Sequence, residues 1–180
     1  MMRRCLCLVI AFMLALVFVS VSNVSAIGLT KIQYTEWQVS TTWTWYTSEG
    51  NYDAAATGGD AIMYIGSPED MASMAWESLV NSYEGWGAGL QGSMQLYGYT
   101  YNATTNILKS ASGYAEWPVG QMFYSYEGEL NAKLTFTSAN AFTGKVTIVH
   151  EDGSSLVISL NGKKLGQFPA GPAPNRLKYR

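Results

Sequence analysis

Hydrophobic and polar residues alternate along much of this chain. The clearest case runs from Gln121 to Thr137, where apolar residues occupy one parity and polar residues the other, and only Phe123 breaks the pattern. A period of two is typical of β-strands that bury one face. The apolar parity of this segment and the next predicts core positions at Leu130, Leu134, Phe136, Val146 and Ile148.

Glycines in these segments predict the turns. The run of 17 residues from Gln121 to Thr137 is longer than an ordinary strand, so we expect a turn or a bend at Gly128. Residues 126–128 fit a three-residue hairpin loop with glycine at its left-handed position, and a continuous strand bent at Gly128 is the alternative. The same loop type is predicted at residues 151–153, and the Asn-Gly pair at 161–162 predicts a two-residue hairpin.

One short helix is predicted among the strands. Ser67 is a suitable N-cap and Pro68 fits the first helical position. Apolar residues then recur at helical spacing at Met71, Met74, Ala75 and Leu79. With about eight strands joined mainly by short turns, the chain is expected to be mainly β: an antiparallel meander forming a barrel, or alternatively a β-sandwich. The barrel is favoured because closure removes exposed strand edges.

An aromatic stripe lies in the segment EWQVSTTWTWYTSEG, residues 36–50. Trp37, Trp43 and Trp45 share one parity of this predicted strand, and Tyr46 has the other. The favoured interpretation is that the tryptophans pack in the core, because the apolar parity of an antiparallel strand usually faces inward. The alternative is that Trp43 and Trp45 line a barrel mouth or an exposed platform. On that hypothesis Trp43, Trp45 and Tyr46 bind a sugar ring or an apolar ligand.

The first 26 residues predict a secretory signal peptide. Arg3 and Arg4 precede an apolar run over residues 5–19, and residues 24–26 offer a small-residue cleavage site. An uncleaved anchor is the alternative, although a spanning helix needs about 18 or more apolar residues. Cleavage after Ala26 leaves no cysteine, which excludes thiol catalysis and thiolate metal sites. We therefore expect a secreted, periplasmic or cell-surface protein with no transmembrane segment after cleavage: a single β domain over 27–170 and a basic tail over 171–180.

The net charge and the short motifs of the sequence mainly exclude classes of function. Without Arg3 and Arg4 the 11 basic residues become 9 against 13 acidic ones, a net charge of −4 with His150 neutral, which argues against nucleic acid as a partner. A single histidine excludes a histidine-rich metal site. The glycines of residues 87–92 match G-x-G-x-x-G, but they precede a strand pattern rather than a helix, which predicts a glycine-rich strand rather than a phosphate loop.

Few residues are candidates for acid or base catalysis. Glu127 and Glu129 would lie about 6.7 Å apart on one face of a continuous strand, as in an inverting glycosidase, but their polar parity favours a solvated edge. His150, Glu116 and Glu36 are the other candidates. The sequence therefore favours a non-catalytic module without a cofactor that binds a small apolar or carbohydrate ligand. A carboxylate-dependent secreted enzyme, such as a glycan hydrolase or isomerase, and a structural cell-surface protein are the alternatives, and the oligomeric state is left open.

Overall fold

The protein is almost entirely β-structure. The computed structural model describes residues 25–69, 74–83, 90–119, 122–128 and 130–168. Within those ranges it contains eleven strands and a single 3₁₀ turn, Leu29–Lys31. The prediction of a mainly β, antiparallel chain is confirmed, whereas most of the predicted signal peptide and the whole basic tail lie outside the described residues.

The strands form one antiparallel sheet. They are β1 (Thr35–Tyr46), β2 (Tyr52–Ile65), β3 (Met74–Tyr83), β4 (Leu90–Leu96), β5 (Thr100–Asn102), β6 (Ile107–Ser110), β7 (Gly113–Val119), β8 (Met122–Gly128), β9 (Leu130–Ser138), β10 (Ala141–Val149) and β11 (Ser155–Gln167). Their order in the sheet is β5-β6-β9-β10-β11-β1-β2-β3-β4-β7-β8. The sheet is open, with β5 and β8 at its edges, and no closed barrel is found among the described strands.

One face of the sheet carries the core. All five core positions predicted from the parity pattern, Leu130, Leu134, Phe136, Val146 and Ile148, are at most 1% exposed. The intervening residues of β9, such as Asn131 and Lys133, are exposed. This prediction is confirmed because successive side chains of a strand point to opposite faces, so parity assigns every residue once one face is buried.

The aromatic centre of the core indicates that the sheet is curved. The Trp37 ring packs edge-on against Phe136 and Phe142, with centroid distances of 5.6 Å and 5.0 Å. In the sheet order β1 and β9 are three strand spacings apart, which would be about 14 Å in a flat sheet. The sheet therefore bends around its core face, which brings side chains from non-neighbouring strands into contact.

The predicted helix after Ser67 is wrong in the described part of that segment, while Met71 lies outside the described residues. Pro68 and Glu69 lie in a turn, and β3 (Met74–Tyr83) is a strand that pairs with β2 on one side and β4 on the other. The capping signals describe only the local chain, whereas strands on both sides can satisfy the backbone N–H and C=O groups of β3. Long-range pairing of this kind overrides a weak local preference for helix.

The predicted hairpin at residues 126–128 is also wrong. β8 ends at Gly128 and pairs with β7, and β9 begins at Leu130 and pairs with β6 and β10. The two strands follow each other in the chain but are not partners, and the alternative of a continuous strand bent at Gly128 stays a prediction, because residue 129 lies outside the described residues. Alternating parity could not separate these possibilities, because a loop with an odd number of residues and a continuous strand keep the same face.

Of the two turns predicted further along the chain, one is confirmed and the other is wrong. The loop at 151–153 is confirmed: His150 N–H donates to the Ser154 carbonyl at 2.8 Å, and Gly153 has a φ of 84°. The hairpin at 161–162 is wrong, because β11 runs through these residues without a turn. Gly162 lies opposite Phe142, and a Cβ at this position would overlap the Phe142 ring. Gly162 therefore allows the Phe142 ring to pack closely against the strand, and it does not form a turn.

Replacement of Gly162 by alanine is expected to destabilise the protein by about 1 to 3 kcal/mol, because the added methyl group would displace the ring of Phe142. Gly166→Ala is the matched control, since a Cβ there meets no atom within 4 Å and Gly166 lies in the same strand. The free energy of unfolding in urea measures both changes. Equal effects of the two substitutions would contradict the packing role of Gly162.

Candidate functional site

The structure separates the three predicted ligand-binding residues. Trp43 is 2% exposed and belongs to the core, where its Nε1 donates to Thr41 Oγ1 at 3.1 Å. Trp45 is half-buried, packs against the same core, and has its ring centroid 6.2 Å from that of Trp43. Tyr46 is half-buried but belongs to the opposite face of β1. Core packing is thus confirmed for Trp37 and Trp43, while Trp45 is the partly accessible tryptophan at the strand end.

Tyr46 has an aromatic neighbour of its own. It lies directly opposite Tyr52 in the β1–β2 pairing, and Tyr52 is 56% exposed. Cross-strand partners of this kind have Cβ atoms about 5 Å apart, so the two tyrosines form a small patch beside the turn at 47–51. Aromatic residues therefore lie on both faces of the sheet at this end: Trp45 on the core face, and the pair Tyr46 and Tyr52 on the outer face.

Two of the candidate acid and base residues, Glu36 and His150, lie far apart. Glu36 lies at the start of β1, opposite Gly166, and accepts a hydrogen bond from Tyr64 Oη at 3.1 Å. His150 lies opposite Ser154 at the other end of β11. The length of β11 between these points corresponds to roughly 40 Å, so Glu36 and His150 cannot act on one substrate atom.

The arrangement of the described residues does not support the other catalytic and metal-binding hypotheses. Asp152 accepts hydrogen bonds from the Ser154 hydroxyl at 2.6 Å and the Ser154 N–H at 2.9 Å, which lower the pKa of this exposed carboxyl group. These bonds stabilise the turn. Glu129 and residues 87–89 of the glycine motif lie outside the described residues, whereas residues 90–92 begin the strand β4. Within the described part of the chain, no group of three or more His, Cys, Asp or Glu side chains is placed to hold a metal ion.

A cleft lies where two paired stretches of β-strand are both interrupted. The pairs Leu96↔Gly113 and Thr100↔Lys109 have the same register, and the Tyr97 N–H donates to the Ser112 carbonyl at 2.9 Å between them. β4 with β5 and β6 with β7 therefore belong to two paired segments of chain whose strands are interrupted at residues 97–99 and 111–112. A cleft with a volume of about 550 Å³ lies at this interruption, and its lining includes Tyr97, Tyr99, Thr100, Lys109, Ser112 and Lys133.

Three lysines form a row beside this cleft, here called the lysine row: Lys109, Lys133 and Lys145. All three are exposed, Lys109 pairs with Lys133 across β6 and β9, and Lys133 pairs with Lys145 across β9 and β10. Like charges directly opposite each other destabilise a sheet. The Cβ atoms of residues paired in this way lie about 5 Å apart.

Lys133 also borders a second, smaller cleft. This cleft has a volume of about 350 Å³ on the outer face of β9, β10 and β11. Its polar lining includes Thr135, Thr143, Lys145, Ser159 and Asn161. The lysine row therefore runs from one cleft to the next, among side chains that offer neutral hydroxyl and amide groups.

Charge is segregated across the whole sheet. The described strands contain five lysines, and all of them lie in four adjacent strands, β6, β9, β10 and β11, which contain no Asp or Glu. The acidic residues of the described strands lie in the other part of the sheet, at Glu36, Asp53, Asp60, Glu77, Glu116 and Glu127. Within the described strands, one side of the sheet is thus basic and the other acidic, while Glu151 and Asp152 lie in the turn between β10 and β11.

Sequence reasoning missed both the cleft and the lysine row. The cleft depends on which strands are neighbours, which parity does not reveal. The charge segregation does have a sequence signal, because no Lys or Arg occurs from Ile32 to Leu108 and no Asp or Glu from Leu130 to His150. The net charge of the whole chain conceals such blocks, because basic and acidic segments cancel in the sum. The distribution of charged residues along the sequence has to be examined instead.

In the part of the chain that the structure describes, none of the helical segments has the length and hydropathy that crossing a lipid bilayer requires. No family model matches this chain, and no curated protein sequence matches it. Among solved structures, the chain is similar to a point mutant of the vaccine antigen transferrin binding protein B from Haemophilus parasuis Hp5, with 13% identity and a TM-score of 0.39. The similarity covers 75% of this chain and 27% of that chain, so the protein spans about a quarter of its length.

Proposed function

We propose that this chain is a secreted, non-catalytic β-barrel module that binds carbohydrate on its outer surface. The observation that carries the proposal is the cleft of about 550 Å³ between residues 97–100 and 109–112. Its lining combines the half-buried Tyr97 with hydroxyl and ammonium groups, the mixture of flat apolar area and polar groups that orients a small ligand, whereas Tyr99 packs mainly in the core. Export follows from the predicted signal peptide, and the separation of Glu36 from His150 supports a role without catalysis.

The pairing pattern supports a closed barrel. Only one to three residues separate β4 from β5, β6 from β7 and β8 from β9, so each of these pairs can be taken as one long strand. The eleven strands then become eight, each paired with the next along the chain. With those pairs taken as single strands, the pairing of β11 with β1 would close a ring without edges, as in an up-and-down barrel.

A filled interior favours a ligand outside the barrel. Trp37, Trp43, Phe136 and Phe142 are among the largest fully buried side chains of the core. An eight-stranded barrel has an interior just wide enough for side chains to fill. A small apolar ligand inside is therefore less well supported than a sugar chain bound to the surface.

The aromatic strand end is a second place where the same ligand could bind. Trp45 is partly accessible there, and the Tyr46–Tyr52 pair lies on the neighbouring outer surface. In this version of the proposal Trp43 supports the Trp45 ring from the core side, since the two centroids are 6.2 Å apart. The cleft is preferred because it is concave and brings more polar groups to one place.

Matched substitutions distinguish the two locations. Calorimetric titration with a panel of neutral and acidic oligosaccharides should identify a ligand, and Tyr97→Ala should weaken its binding by about tenfold, or about 1.4 kcal/mol. Tyr46→Ala and Trp45→Ala should leave the affinity within about twofold if the cleft is the site. Losses at Tyr46 or Trp45 with none at Tyr97 would place the site at the aromatic strand end. Failure of every sugar to bind, or release of cleavage products, would contradict the proposed function.

A further inference from the structure

We infer that the ligand is acidic: a linear polysaccharide with carboxylate or sulfate groups that lies across β6, β9 and β10 along the lysine row. The inference rests on the proposed carbohydrate function and adds the charge and the direction of the ligand. It is carried by three observations: the adjacency of Lys109, Lys133 and Lys145, the clefts on both sides of Lys133, and the absence of acidic residues from these strands.

The adjacency of the lysines favours an anionic ligand. Their side chains are exposed on directly paired residues, an arrangement that costs stability in the free protein. No Asp or Glu of β6, β9, β10 or β11 is present to compensate it. A bound anion removes this repulsion, so the complex gains an interaction energy that the free protein lacks.

The geometry favours an extended ligand over a single ion. Neighbouring strands lie about 4.8 Å apart, so the three lysines extend over roughly 10 Å across the strands. Lys109 and Lys133 line the larger cleft, and Lys133 and Lys145 line the smaller one. A chain that occupied both clefts would pass each ammonium group in turn, with a charge available about every 5 Å.

The side chains around the row favour a sugar over a membrane surface. Thr135, Thr143, Ser159 and Asn161 border the smaller cleft and can hydrogen-bond to sugar hydroxyl groups. Proteins that bind at a lipid surface usually place large apolar side chains beside their lysines. The exposed large apolar residues of the described chain, Tyr52, Ile62, Val149 and Leu165, do not line either cleft.

Titration of the purified protein with heparin, polygalacturonate and neutral dextran tests the inference. We expect binding to one or both charged polymers, with no binding to dextran, and an affinity that falls as NaCl is raised from 50 to 500 mM because salt screens the charges. Lys133→Gln should weaken binding at least tenfold. Lys163→Gln is the matched control, because Lys163 is exposed in β11 but lines neither cleft, and it should change the affinity by less than about threefold.

The possible failures are distinguishable. If dextran binds as well as the charged polymers, or if Lys133→Gln is no weaker than Lys163→Gln, the inference fails while the carbohydrate function stands. If no polysaccharide binds but phosphatidylglycerol vesicles do, both proposals are overturned. A Lys133→Gln melting temperature that is unchanged, or raised by about 1–3 °C through relief of repulsion, supports the inference. A lowered melting temperature would instead indicate that the row stabilises the fold, which contradicts it.

Discussion

Replacement of Phe136 by alanine is expected to reduce the free energy of unfolding by about 3 to 5 kcal/mol. The Phe136 side chain is fully buried, and its ring lies 5.6 Å from Trp37, 5.5 Å from Phe142 and 6.0 Å from Tyr101. Its removal would leave a cavity among rings from several strands, which can collapse only in part because each ring is held by its own strand. Urea unfolding followed by circular dichroism measures the change.

Asn131→Ala is the control in the same strand. Asn131 is exposed on the opposite face of β9, so its truncation should alter the free energy of unfolding by no more than about 0.5 kcal/mol. A loss below about 1 kcal/mol for Phe136→Ala would mean that the assignment of the buried face is reversed, because a fully buried aromatic side chain costs several times that amount.

Trp37→Ala should destabilise the protein by a similar amount, about 3 to 5 kcal/mol, while Trp45→Ala should cost clearly less. Trp37 is fully buried, and its Nε1 donates to Thr35 Oγ1 at 2.7 Å, so the substitution removes both packing and a buried hydrogen bond. Trp45 is only half-buried. Thermal unfolding of the two variants gives the difference in stability.

Fluorescence quenching by acrylamide provides an independent comparison of the same tryptophans. The Trp45→Ala variant should lose quencher-accessible emission, whereas Trp37→Ala should retain it, because only Trp45 of this pair is partly exposed. Equal destabilisation by both substitutions, with no change in quenching, would place Trp45 in the core and remove it from the candidate site.

The sequence predicts this fold best where one face of a strand is buried. Alternation assigned Leu130, Phe136 and Ile148 to the core correctly, and the glycine of the 151–153 loop lies at the left-handed position that the loop requires. Both are local signals: the first needs only the period of a strand, and the second only the φ angle that glycine tolerates.

The failures come from interactions that are distant in sequence. The strand continues through Gly162. Phe142, twenty residues earlier in the chain, occupies the space that a side chain at position 162 would take. Met74 belongs to a strand because β2 and β4 pair with it on both sides. The lysine row exists only after β6 and β10 are placed on either side of β9, which neither parity nor composition indicates.

The charge segregation of the sheet also concerns how the molecule approaches a partner. Within the described strands, lysines lie on one side of the sheet and acidic residues on the other, so these strands contribute an electric dipole directed across the sheet. Near a polyanion this dipole turns the basic side forward before contact and holds the acidic side away. Orientation of this kind accelerates association rather than slowing release. We therefore infer that NaCl acts on capture mainly through the association rate constant, and that a protein of net negative charge still collides productively with an anionic polymer.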